Sequence, residues 1–191
     1  MIEILHGRLM RMTDIHPDVA RVLITEDEIK AKLQEMGALI TEYYRDKNPV
    51  VICVLKGAVY LLSDLTRLID TDIELDFMVV SSYGTDTKSS GVVRIVNDLS
   101  TSIKDRHVLV VEDIIDTGLT LKYLLRNFAA RGAASIEVAA LLWKSGAQEI
   151  EIDARWIGFE IPNEFVIGYG LDYAEKYRNL PYVGIIRPEA I

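Results

Sequence analysis

The chain has 191 residues, half of them apolar or aromatic and 26% charged, with 21 Lys and Arg against 29 Asp and Glu. A single domain of this size buries about 70% of its unfolded surface, and the balance excludes disordered and collagen-like classes. The net charge of −8 argues against general nucleic-acid binding, which relies on clustered Lys and Arg. A phosphorylated metabolite, needing only local donors or a cation, stays open.

Cys53 is the only cysteine, embedded in an apolar run. It reads as a small buried hydrophobe, and neither a disulfide nor a thiolate metal site is expected. The start of the chain lacks the charged-then-apolar layout of a signal peptide, and no apolar run reaches the roughly 18 residues of a membrane span. A cytoplasmic protein without membrane association is expected.

Thr25 and Glu28 have the spacing of a capping box. They open an apolar stripe at Ile29, Leu33, Met36, Ile40 and Tyr43, which predicts a helix ending near Asn48 and Pro49. Residues 50–55 form a continuous apolar run, the pattern of a strand buried on both faces. After Lys56 and Gly57 a helical period returns over 58–69. Strands follow at 75–80 and 92–96, separated by the polar segment 82–91, which is bounded by glycines. A buried strand at 107–111, a helix at 121–130 and strands at 135–142, 165–168 and 183–186 complete the series. Strands alternating with helices predict an α/β fold with a largely parallel twisted sheet flanked by helices. No repeat or linker divides the chain, so one domain over 1–191 is expected.

In open parallel sheets, ligands bind beyond the carboxyl ends of the strands. Behind Val108, Leu109, Val110 and Val111 come Glu112, Asp113, Ile114, Ile115, Asp116, Thr117, Gly118, Leu119 and Thr120, then a helix. The amides and hydroxyls of residues 117–120 would meet at a helix start, an anion cradle in which Gly118 permits close backbone approach. The acids before it suit ribose hydroxyls or a divalent cation better than a bare phosphate. Read alone, the turn could equally be a helix cap with solvated carboxylates in front of it. His6, His16 and His107 lack ligand-like spacing and read as structural or solvated.

Residues 108–121 resemble the phosphoribosyl-pyrophosphate signature of type I phosphoribosyltransferases. Further blocks, Leu55-Lys56-Gly57, Ser81-Ser82-Tyr83-Gly84, Gly158-Phe159-Glu160-Ile161-Pro162 and Leu171-Asp172-Tyr173 through Arg178-Asn179-Leu180, occur in order. Together they make the chain similar to the hypoxanthine–guanine phosphoribosyltransferases from about residue 50 onward. The resemblance implies the type I phosphoribosyltransferase fold, with a small base-binding hood built from the N-terminal segment and the region after about residue 143.

It also implies roles for particular residues. Glu112 and Asp113 would meet the ribose hydroxyls and help hold Mg2+. Asp116 would be the general base beside purine N7, while Thr117, Gly118, Leu119 and Thr120 grip the 5′-phosphate. Leu119 stands where some relatives carry Lys, at a position whose family contact is mainly through the backbone. Lys56 and Gly57 would face pyrophosphate, with a cis peptide before the lysine. Lys144 would donate to O6, Phe165 would stack on the purine, and Val166 would offer backbone contacts at its edge. Asp172, placed at the base site, would hold a second Mg2+, and Arg178 would neutralise the leaving group. Segment 82–91, with Ser82 and Tyr83 at its start, would close as a lid.

The implied activity is transfer of the phosphoribosyl group of phosphoribosyl pyrophosphate to a 6-oxopurine such as hypoxanthine or guanine. The implied protein is a homodimer or homotetramer that binds no nucleic acid. Transfer to another base such as xanthine, or a phosphoribosyl-pyrophosphate-sensing regulator on the same fold, are the alternatives.

Overall fold

The order of the chain is set by apolar runs too short for helices alternating with amphipathic stretches long enough to form them. The structure, a computed structural model, describes residues 15–82 and 93–191. Tyr83, most of the expected lid, Val92 and His6 lie outside the described residues, as does nearly all of the N-terminal segment.

Strand β1 (Val19–Ile24) precedes helix α1 (Glu26–Tyr44), which starts at the capping box as expected. Next come β2 (Val50–Leu55), α2 (Val59–Thr66), β3 (Glu74–Ser82) and β4 (Val93–Asn97). Then follow β5 (His107–Ile115), α3 (Leu119–Ala130), β6 (Ser135–Lys144), β7 (Trp156–Ile161), β8 (Val166–Ile167) and β9 (Val183–Ile186). Six strands form the main sheet in the order β4-β3-β2-β5-β6-β7, and β1-β9-β8 form a small second sheet. Neighbours in the main sheet run parallel except β3 and β4; the small sheet is antiparallel.

Alternation along β2 distributes its side chains to two cores. Val51 and Cys53 pack with Ile29, Leu33, Met36 and Ile40 of α1 and with Leu61 and Leu65 of α2. Val50, Ile52 and Val54 pack with Leu121, Leu124 and Phe128 of α3. The central strand is thus covered on both faces, as its unbroken apolar run requires. Burial pushes the Cys53 thiol up to about 12, so it behaves as the inert hydrophobe expected of it.

Several expectations need correction. Helix α1 ends at Tyr44, and that residue, rather than Tyr43, completes its buried face. Tyr43 is only partly buried and donates to Glu137 Oε1 at 2.6 Å. The expected helix over 58–69 shortens to α2, the strand at 165–168 shrinks to β8, and α3 begins two residues early. Strand β5 runs on to Ile115, which places Glu112 and Asp113 in the strand rather than in a loop. Strands β1 and β7 were not foreseen. In β1, register shifts on either side of Arg21 and Val22 destroy the alternation that would have revealed it. In β7, Ile157 is exposed while Trp156 and Ile161 are buried, so its two faces do not alternate either. Because β7 pairs with β6, part of the region after residue 143 belongs to the main sheet.

Candidate active site

Three carboxyl-terminal strand ends converge. Strand β2 delivers Lys56 and Gly57, β5 delivers Glu112 to Thr117, and β6 ends on Lys144. The Leu55–Lys56 peptide is cis.

The loop between β5 and α3 is shaped by Gly118. Its φ of +81° is a conformation that side chains disfavour, and an added Cβ would stand 2.9 Å from Ile152 Cγ1. Gly118, the N-cap of α3, has no side chain to cap it, and no acid lies in the first turn. Thr117 Oγ1 accepts from the Leu119 amide at a long 3.4 Å, and the carbonyl of Thr117 accepts from the Glu149 amide at 3.1 Å. A cavity of about 100 Å³ is lined by Glu112, Asp116, Thr117, Gly118 and Thr120. An unfilled helix start of this kind, open to a small cavity, attracts an anion.

The two acids of β5 diverge, as consecutive strand residues do. Glu112 is buried and borders the loop cavity; Asp113 lies beneath Gly57. The approach is so close that a Cβ on Gly57 would fall 1.6 Å from Asp113 Oδ2. Burial raises the Glu112 carboxyl well above its ordinary range, and neighbouring Asp113 adds to the effect. Burial likewise pushes Asp113 up to about 6, opposed by the Ile114 amide, which donates to it at 2.8 Å. Both acids thus gain if a cation or hydroxyl donor arrives.

At the end of β6, Lys144 Nζ donates to Asp116 Oδ2 at 2.7 Å. The lysine is buried and the aspartate is exposed, so a fixed cation meets an accessible carboxylate. Gln148 Nε2 donates to the Lys144 carbonyl at 2.6 Å and steadies the strand end.

The opposite wall is the segment after β8. Gly168, Tyr169 and Gly170 all have positive φ, and an added Cβ on Gly170 would stand 1.9 Å from the Gly57 carbonyl oxygen. This contact brings the segment against the β2–α2 loop. Arg178 donates from Nη1 to the Gly170 carbonyl at 2.7 Å and pairs through Nη2 with Asp172 Oδ1 at 2.8 Å. Phe165 is 45% exposed, meeting Tyr173 edge-on with centroids 5.7 Å apart. Val166 is buried in β8.

Residues 25–174 match the phosphoribosyl transferase domain family. The chain is 53% identical over 171 residues to a hypoxanthine-guanine phosphoribosyltransferase of Bacillus subtilis, covering 90% of this chain and 95% of that protein. The chain belongs to the hypoxanthine–guanine phosphoribosyltransferase family. A hypoxanthine phosphoribosyltransferase structure from Staphylococcus aureus superposes with a TM-score of 0.89 at 45% identity, covering 92% of this chain and 95% of that one. The fold is therefore that of the type I phosphoribosyltransferases. The chain is also 52% identical to a bifunctional protein TilS/HprT of Listeria monocytogenes, over 92% of this chain but only 27% of that longer protein.

Within the family's fold the expected residues divide. Asp116, Thr117, Gly118, Thr120 and Glu112 share one cavity, with Lys144 on Asp116. Lys56, Asp172 and Arg178 are linked through a single carboxylate, that of Glu175, or directly to one another. Of the expected metal residues, Glu112 and Asp113 are consecutive on β5, while Asp172, expected to hold a second ion, pairs with Arg178 in the segment after β8; among the described residues no three His, Cys, Asp or Glu side chains are grouped to hold an ion. Ser82 ends β3, while Tyr83 is outside the described residues. His16 Nδ1 accepts from the Asp18 amide at 3.2 Å and His107 Nδ1 meets Ser135 Oγ at 2.8 Å, both structural contacts. Sequence reasoning gave no part to Glu175, whose link to Lys56 spans two distant segments and leaves no local pattern.

Proposed function

We propose that this chain transfers the 5-phosphoribosyl group of phosphoribosyl pyrophosphate to N9 of a 6-oxopurine, hypoxanthine or guanine. It does so as one domain over 1–191, in the cytoplasm and as a homodimer or homotetramer. The observation that carries the reading is the Lys144–Asp116 pair at 2.7 Å beside the open start of α3. An ammonium that only donates and a carboxylate that only accepts stand side by side. A 6-oxopurine presents O6 as an acceptor to the first and its neighbouring imidazole nitrogen, when protonated, to the second.

In this reading the amides of 117–120 hold the 5′-phosphate, and the Thr117 and Thr120 hydroxyls add donors. Glu112 and Asp113 accept from the ribose hydroxyls. The purine lies against Phe165, with backbone of Val166 at its edge. N9 attacks C1′ as the bond to pyrophosphate breaks, with inversion at that carbon. Asp116 takes the proton released from the imidazole ring. Positive charge growing on the ribose faces Glu112, Asp113 and Asp116, and Lys56 and Arg178 face the departing pyrophosphate.

Magnesium fits this donor set. The ion keeps several waters and takes substrate phosphate oxygens, so one or two carboxylates suffice and no three-ligand cage is needed. Glu112 and Asp113, consecutive near the end of β5, would offer hard oxygens to one ion, and Asp172, beside Arg178, to a second. Bound there, the ion would supply charge neutralisation to the pyrophosphate. No helix among the described residues is long and apolar enough to cross a membrane, in keeping with a cytoplasmic location.

The test is turnover with phosphoribosyl pyrophosphate, Mg2+ and a panel of hypoxanthine, guanine, xanthine, adenine and pyrimidines. Nucleoside monophosphate from hypoxanthine or guanine is expected. Product from xanthine alone, or from none, overturns the reading.

A further inference from the structure

The turn between Asp172 and Arg178 holds one acid for which the mechanism has no use. Ala174 and Glu175 both have left-handed backbones, with φ of 49° and 64°. They lie between Tyr173 and Lys176, whose backbones exchange hydrogen bonds of 3.3 and 3.0 Å. Two left-handed residues inside such a pair make a tight hairpin turn that normally recruits Asn or Gly. Here Ala and Glu adopt it, and the Glu175 amide is fastened to Asp172 Oδ2 at 2.9 Å. The consequence is a carboxylate held over the pyrophosphate side of the cleft. Glu175 Oε2 accepts from Lys56 Nζ at 3.0 Å and stands 3.5 Å from Arg178 Nη2.

We propose that Glu175 is a built-in competitor for pyrophosphate. It occupies the two cations in the free protein, and an incoming diphosphate must displace it. The inference rests on the assignment of Lys56 and Arg178 to the pyrophosphate. A single carboxylate that bridges both cations presents the same charge and oxygen chemistry as one end of a diphosphate. Once displaced, it stays close enough to repel the ligand. Its function is to lower affinity for the diphosphate, so that the product leaves readily after transfer. The turn is also coupled to Asp172. If Asp172 is drawn toward a ligand, the Glu175 amide loses its acceptor and the turn loosens with it.

Glu175 is exposed, and solvent-screened pairs are individually weak. One charge removed a few ångströms from a multiply charged anion should therefore change affinity by about threefold to tenfold. Calorimetric titration of inorganic pyrophosphate with Mg2+ into the whole chain reads this directly. Glu175→Gln keeps the size and polarity of the side chain and removes its charge. It should bind pyrophosphate about threefold to tenfold more tightly, and the gap from the unmodified chain should shrink as salt is added. A merely structural role for Glu175 would give the opposite sign, because a disordered turn holds the anion less well. Equal or weaker binding by Glu175→Gln, while Lys56→Gln weakens it, overturns the competitor. If Lys56→Gln leaves pyrophosphate affinity unchanged, the pyrophosphate assignment itself fails and takes the competitor with it.

Discussion

Helices α1 and α3 begin in opposite ways. At the start of α1, Thr25 Oγ1 accepts from the Glu28 amide at 3.3 Å, and Glu28 Oε2 accepts from the Thr25 amide at 2.8 Å. Glu26, Asp27 and Glu28 then meet the positive end of the helix with three acids. At the start of α3 a left-handed glycine replaces the cap, no acid follows, and a small cavity opens in front. The first helix closes its start with its own side chains. The second has no side chain at its N-cap and no acid in its first turn, the kind of helix start that favours an anion. Glu112 and Asp113 stand before α3, on β5, rather than in its first turn.

This contrast is sharpest at Asp116, the last acid before the open helix start. Asp116→Asn should retain the fold and most substrate affinity, because Asn keeps the size and one acceptor. It cannot take a proton, and general-base assistance is worth about 10²–10⁴ in rate. Pre-steady-state and steady-state turnover with hypoxanthine check this; a variant with unmodified kcat across neutral pH removes Asp116 from the chemistry.

A smaller effect is expected at Lys144. Adenine presents amino donors to an ammonium that has only donors, and an unpaired buried polar group costs about 1–3 kcal/mol. Lys144→Gln supplies a carbonyl. It should reduce the hypoxanthine-to-adenine ratio of kcat/KM by about tenfold to a hundredfold, chiefly by weakening hypoxanthine. An unchanged ratio would return Lys144 to the role of a strand-end lysine paired with Asp116.

The acids on β5 give a pH signature of the opposite sign to that of α1, where the Thr25 hydrogen bonds lower the Glu28 carboxyl. Burial raises Asp113 from its ordinary 3.8 to about 6, so the folded protein binds the proton more tightly than the unfolded chain does. Its contribution to stability is present in full below about pH 4 and is lost as pH rises through about 6. Asp113→Asn should flatten that part of the stability curve measured by urea unfolding. A curve unaltered between pH 4 and 7 would show that Asp113 is not the titrating group.

The smallest change belongs to α1. Thr25→Ala removes one half of the capping box and should cost about 1 kcal/mol of stability, with kcat and KM for both substrates unchanged. A rise in KM for phosphoribosyl pyrophosphate would mean that the two helix starts are not independent.

Legibility followed how local each feature is. Strand β2 and the central helices were readable because each is one uninterrupted pattern, six apolar residues in a row or a stripe at helical spacing. The loop from Asp116 to Thr120 stands out in the sequence because its acid, hydroxyls and glycine lie next to each other behind an apolar strand. Strand β1 was hidden because two register shifts within six residues erase its alternation. The length of β5 was misjudged because Glu112 and Asp113, as acids, look like loop, though both sit in the strand. Glu175 was invisible because its meaning comes from Lys56, far away in the chain, and from a turn that no Asn or Gly announces.

In the proposed reaction the amides at the start of α3 are kept for the substrate's phosphate. Amide hydrogen exchange, with and without phosphoribosyl pyrophosphate and Mg2+, measures this residue by residue. Protection should rise at residues 117–120 and stay unchanged over the first turn of α1, where Thr25 already holds the Glu28 and Ile29 amides. Equal exchange at 117–120 with and without ligand, under conditions where the ligand is bound, would contradict it.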